Sequence, residues 1–129
     1  MATNQTMRTI VLLANADLST KQFYIVKAHT VAGEVVLSDT PATDIPIGVL
    51  QNKPAAGERA IIALLDGAVL KMVADGVIAA GAEIGLAGTD GQVTSVPAVT
   101  EVSLGNALET SAAAAEIISV ASHLFRAKA

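Results

Sequence analysis

From Gln22 onward, short runs rich in Val, Ile and Leu recur about every 8 to 12 residues, and each is closed off by Gly, Pro, Asp or an Ala-Gly pair. Runs of this length are too short to carry the 3.6-residue stripe of a buried helix, but they suit strands of about four to six residues. The pattern predicts an all-β fold, a small β-barrel or sandwich-like single domain. The expected strands are Ile10–Leu13, Phe23–Ala28, Glu34–Leu37, Pro46–Leu50, Arg59–Leu65, Ala68–Met72, Glu83–Ala87, Val93–Val96, Leu104–Leu108 and Glu116–Ala121. Met1 to Thr9 is polar and without periodicity, and is expected to be a flexible arm ahead of a β domain over 10–129.

Turn chemistry refines this reading. Asp66-Gly67 stands between two β-rich runs and has the form of a two-residue hairpin turn, in which Gly supplies the positive φ. Thr89-Asp90-Gly91 has the same character. Ser111–Ala115 is rich in Ala, but five residues do not nucleate a helix, so a turn or a single helical turn is expected. The chain also echoes itself. Ile47-Gly48-Val49-Leu50, followed by Pro54–Glu58 and Ile61-Ile62, resembles Leu104–Leu108, followed by Ala112–Glu116 and Ile117-Ile118. Each copy reads as strand, small-residue turn, strand, a pair of similar hairpins with a Gly inside the first strand. Such a Gly marks a bulge or the close approach of another backbone.

Composition decides what builds the core. The chain has 129 residues, 52% of them hydrophobic but only 2% aromatic, namely Phe23, Tyr24 and Phe125. Ala, Val, Ile and Leu must therefore fill the interior. At roughly 25 cal/mol per Å² a core without rings is thin, which favours association between copies.

Several function classes lack their residues. Eight Lys and Arg against twelve Asp and Glu give a formal charge of −4, and the cations are scattered singly, so no nucleic-acid partner is expected. Acidic residues interrupt every apolar stretch before the 18 or so residues of a membrane span, so no membrane partner is expected. Ala14-Asn15-Ala16 has the form of a signal-peptidase site, but the run Ile10–Leu13 ahead of it is shorter than the usual h-region of about 7 to 15 residues. There is no cysteine, which rules out disulfides and thiolate sites.

Catalytic and cofactor constellations are also missing. His29 and His123 are the only histidines and share no metal-ligand spacing, so they read as surface or packing residues. No Gly-x-Ser-x-Gly elbow occurs. Asp66 with Asp75, or Glu109 with Glu116, are the carboxylate pairs that could do glycosidase chemistry if the fold set them at the right separation. The default for the acids, including Asp39, Asp44, Asp66, Asp75 and Asp90, is a solvated turn. Gly85–Gly91 lacks the lysine and following helix of a phosphate cradle, and its Asp-Gly spacing fails the calcium-loop pattern. The expectation is a protein that is not an enzyme, with no catalytic, metal or cofactor-binding residues and no cofactor.

The second half supplies a resemblance. Gly67-Ala68-Val69-Leu70-Lys71-Met72, Ala79-Ala80-Gly81-Ala82-Glu83-Ile84-Gly85-Leu86, Gly91-Gln92-Val93-Thr94 and Leu104-Gly105-Asn106-Ala107-Leu108-Glu109 are followed by an Ala-rich turn and a last strand over Ala112–Val120. This order resembles the head decoration, or capsid cement, proteins of tailed phages, over roughly Ile45 to Val120. The resemblance implies a β-barrel-like domain on the outer surface of the expanded phage capsid in the virion, commonly a homotrimer, with the major capsid protein as partner. Alternatives are another virion β-domain (tail, fibre or baseplate) and a small-ligand or carbohydrate-binding module, the latter disfavoured by the shortage of rings. The polar arm is expected to reach the shell or a neighbouring copy.

Overall fold

The computed structural model of the chain describes residues 7–41, 43–87, 90–95 and 102–127. Ten strands run through them: β1 (Thr9–Ala14), β2 (Ile25–Ala28), β3 (Glu34–Leu37), β4 (Pro46–Leu50), β5 (Arg59–Leu64), β6 (Val69–Val73), β7 (Glu83–Leu86), β8 (Val93–Ser95), β9 (Val102–Ala107) and β10 (Ile117–Ala127). Each corresponds to an expected run, and no helix occurs among the described residues. The fold is all-β. The Ala-rich segment after Ser111 is a turn, because Ala115 takes a left-handed φ of 70° and stops any helical continuation.

The strands form two five-stranded groups. The first closes into a barrel in the order β1-β3-β2-β4-β5, with β5 pairing back onto β1. The second is a sheet in the order β6-β10-β9-β7-β8, and a lone parallel bridge between Ala74 and Val93 ties its two edges together. Closing the first group into a barrel removes the unpaired backbone that would otherwise invite another chain.

The two groups are the same structure twice. Replacing β1 to β5 by β6 to β10 turns the ring order of the first into that of the second, and the registers coincide as well. Ala14 pairs with Val35 in parallel, as Ala74 does with Val93. Val26 faces Gly48 just before a register shift, as Ile84 faces Gly105 just before another. Turn hydrogen bonds repeat too. Ala14 N–H donates to Glu58 O at 2.9 Å, and Ala74 N–H to Glu116 O at 2.8 Å. The Glu58 carboxylate accepts from Ala55 N–H at 2.7 Å, and the Glu116 carboxylate from Ala112 N–H at 2.8 Å. The echo in the sequence belongs to a duplication spanning the described residues: its glycines and glutamates match, but Ile61-Ile62 corresponds to Ser119-Val120, two residues beyond the Ile117-Ile118 with which the echo aligned it.

The echoed glycines have the cause the sequence pointed to. A Cβ on Gly48 would lie 2.1 Å from Ala63 O, and one on Gly105 2.2 Å from Ala121 O, so only a hydrogen fits where the partner strand of each hairpin crosses.

Strand alternation explains how the halves join. In β2, β4 and β5 consecutive residues are buried on opposite faces. Val26, Leu50 and Ile62 point into the first barrel, whereas Ile25, Val49 and Ala63 belong to the larger cluster that includes Leu70, Met72, Ile84, Leu104 and Val120 of the second half. The core consists of Ala, Val, Leu and Ile with Met72.

Three expectations change. Asp66-Gly67 does not make a hairpin: Gly67 has the positive φ of 101°, but β6 leaves the barrel to pair with β10. Leu65 and Ala68, each 4% exposed, are buried between the halves, so burying them carries the chain across instead of folding it back. Phe23 precedes β2 instead of beginning it, with a φ of 70° at the position where the second half has Gly81 at 86°. β1 begins at Thr9, inside the segment expected to be an arm, while residues 1–6 of that segment and Val96 lie outside the described residues.

Candidate functional site

Two surfaces of the first barrel stand out. One is a cavity of about 860 Å³ beside β2 and β3, bordered by the loops on either side of these strands and by Asp90 of the β7–β8 turn. Its polar wall is built around Asp44, whose side chain is 8% exposed. Asp44 Oδ1 accepts from Lys27 Nζ at 2.7 Å, and Oδ2 accepts from Asp39 N–H at 2.9 Å, Thr40 N–H at 3.0 Å and Ser38 Oγ at 3.3 Å. Burial pushes this carboxyl up, but the Lys27 ammonium and the two amides outweigh it and hold it below the ordinary carboxylate range. A carboxylate held ionised and saturated with donors is a poor general acid or base. Asp44 was expected to be a solvated turn residue and is instead a buried clasp; no motif spacing in the sequence announces it.

His29 and Asp17, which also border this cavity, are engaged locally. His29 Nδ1 accepts from Val31 N–H at 3.0 Å, which bends the β2–β3 turn. Asp17 Oδ1 accepts from Ser19 N–H at 3.0 Å, and its hydrogen bonds to Ser19 lower its pKa.

The second surface is apolar. Val11 and Ile61, paired across β1 and β5, point away from the barrel and are 55% and 38% exposed, and Leu13 beside them is 44% exposed. Arg59 stands opposite Leu13, and the equivalent strip of the second half carries Lys71 opposite Ser119 and Val73 opposite Ile117 on β6 and β10. There Val73 is 5% exposed, in a crevice shared with Gln22, Phe23 and Tyr24 of the first half, and Lys71 Nζ lies 5.1 Å from the centre of the Phe23 ring. The same strip is therefore packed against a neighbouring barrel in one half and bare in the other.

The residues weighed for chemistry each have local partners. His29 is in the first half, while His123 lies on β10 with Nε2 2.9 Å from Ser103 O. Asp66 sits on the crossing between the halves with Arg8 at 3.5 Å, and Asp75 follows β6 with its amide on Val93 O. Glu109 accepts from Ser119 N–H at 3.0 Å, and Glu116 from the Ala112 amide. Among the described residues no group of three or more His, Asp or Glu side chains is placed to hold a metal ion. Among them, too, no helix is long and apolar enough to cross a membrane.

No protein-family model matches the chain, and no curated protein matches it. Among solved structures, the head fiber gp8.5 N base of bacteriophage phi29 is similar, with a TM-score of 0.73 and 15% sequence identity over 96% of this chain and 98% of that one. At this identity the likeness is one of fold, and it takes in both halves.

Proposed function

We propose that the chain is a virion structural protein of a phage head, a decoration protein that binds the outer surface of the capsid and stabilises the expanded shell. The observation that carries this reading is the end-to-end likeness to a base described as part of a phage head fiber. The order of Gly-punctuated strands from Ile45 to Val120, similar to phage cement proteins, supports it independently. The reading includes self-association as a homotrimer, the major capsid protein as partner, and no enzymatic activity. Many modest contacts repeated over a closed shell act together, so each copy needs only a limited interface.

A second reading has its own support: the neighbour is named a head fiber base, so this chain would serve as the foot of a fibre and not as a free-standing cement. Quantifying the chain against the major capsid protein in purified particles separates the two. About one copy per capsid subunit supports decoration, and a few tens of copies per particle supports a fibre foot. Absence from the particle overturns both.

A further inference from the structure

We infer that the bare strip of Val11, Leu13 and Ile61 is one side of a head-to-tail contact between copies of this chain, and that its occupant is the Ala79–Ala82 end of another copy's second half. The inference rests on the self-association in the proposed function and names the surface that performs it.

The duplication supplies the template. Within one chain, the β6–β10 strip of the second half packs on the loop before β2 of the first, where Val73 shares a crevice with Gln22, Phe23 and Tyr24. By the repeat, Leu13 stands where Val73 does and Val11 where Lys71 does, while Ala80, Gly81 and Ala82 stand where Gln22, Phe23 and Tyr24 do. Each chain thus carries one such junction made and the two halves of another unmade.

The unmade halves suit each other. Val11 and Ile61 replace Lys71 and Ser119, while Arg59 opposite Leu13 replaces Ile117 opposite Val73, so the bare strip exposes three large apolar side chains next to a single charge. On the other side, Ala79, Ala80 and Gly81 are exposed, and Leu108 beside them is 53% exposed. Leu108 occupies the position of Gln51, whose carbonyl accepts from Gln22 within the first half, beside the made junction. Small residues on one side accept the larger Val and Leu of the other, where the made junction sets a Phe ring beneath a lysine ammonium. A contact between unlike surfaces closes into a ring or runs on as a filament, and a cyclic oligomer is the form compatible with a shell.

The absence of cysteine makes the test direct. Full-length Leu13→Cys and Ala80→Cys proteins are oxidised mildly, each alone and as an equal mixture, with Val73→Cys, Gln22→Cys in one chain as the made-junction control. A disulfide-linked dimer formed only in the mixture is expected. Val11→Asp and Leu13→Asp together are expected to reduce the light-scattering mass to that of one chain while leaving the thermal midpoint within a few degrees. A dimer from Leu13→Cys alone, or a wild-type mass of one chain at every concentration, overturns the inference. Normal copy number in particles beside either of those results leaves the virion reading standing, whereas mixed-only cross-linking with no particle association removes the virion reading and keeps this contact.

Discussion

Adding one methyl group at Gly48 or Gly105 tests whether backbone proximity accounts for both glycines. The new Cβ of Gly48→Ala would sit 2.1 Å from Ala63 O and 2.7 Å from Ile62 Cγ2. Relief requires β4 and β5 to part by more than 1 Å, roughly the gap between that separation and van der Waals contact. Overpacking of this kind costs about 1 to 3 kcal/mol, and a weakened ladder bond beside it adds about 1 kcal/mol, so a loss of about 3 kcal/mol is expected. Gly105→Ala meets Ala121 O at 2.2 Å and has a φ of 145°. An Ala held in that backbone region adds about 1 kcal/mol or more, for a loss of about 4 kcal/mol.

Two other glycines separate the causes. Gly33 has a φ of 81° with nothing within 4 Å of a built Cβ, so Gly33→Ala isolates the backbone cost of about 1 kcal/mol. Gly76 has open space and no left-handed φ, so Gly76→Ala is expected to be neutral or to stabilise by about 0.5 kcal/mol. Urea unfolding of the full chain, extrapolated to water, resolves these differences against a total of about 5 to 15 kcal/mol. The expected order of falling stability is Gly76→Ala, Gly33→Ala, Gly48→Ala, Gly105→Ala. A Gly48→Ala protein as stable as Gly76→Ala would refute the reasoning.

The duplication and the Asp44 clasp give further predictions. Ala115, at a φ of 70°, stands where the first half has Gly57 at 81°, so Ala115→Gly is expected to raise stability by about 0.5 kcal/mol and Gly57→Ala to lower it by about 1 kcal/mol in the same urea assay. Because the folded pKa of Asp44 is depressed, its contribution is fully present above the unfolded value of about 3.9 and is lost as the pH falls through the folded value. Thermal midpoints measured down to pH 2 should therefore drop below about pH 4 in the wild type and less steeply in Asp44→Asn. At pH 7 Asp44→Asn should itself cost about 2 kcal/mol, since Lys27 loses its buried counter-charge; an unchanged midpoint at pH 7 would show the clasp to be without effect.

Much of the fold was legible because it rests on local rules. Ten β-rich runs became ten strands, and Gly48 and Gly105 stood out because a residue without a side chain is conspicuous inside a strand. What stayed hidden depends on partners distant in the chain. Asp66-Gly67 has hairpin chemistry, but β10 competes for β6 and the burial of Leu65 and Ala68 decides the outcome. The duplication showed only as an echo because each half faces different surroundings. Ile25 and Val49, covered by the second half, correspond to Glu83 and Asn106, which are not buried. Phe23 and Ala115 keep left-handed backbones without the glycine that would signal them. The Lys27–Asp44 clasp joins a strand lysine to an acid of ordinary turn composition and leaves no spacing to read.

The strands of the first barrel that are buried on both faces bear on how the molecule comes apart. Ile25, Val49 and Ala63 are each fully shielded from water, and they belong to the cluster that fills the second half. Peeling the halves apart would wet that surface without breaking a strand ladder inside either one. Opening that is purely local to one half is therefore penalised by the other. The chain should melt as a single calorimetric unit in spite of its repeated architecture, and the slowest-exchanging amides should lie on β4 and β5, where the two interiors share a wall.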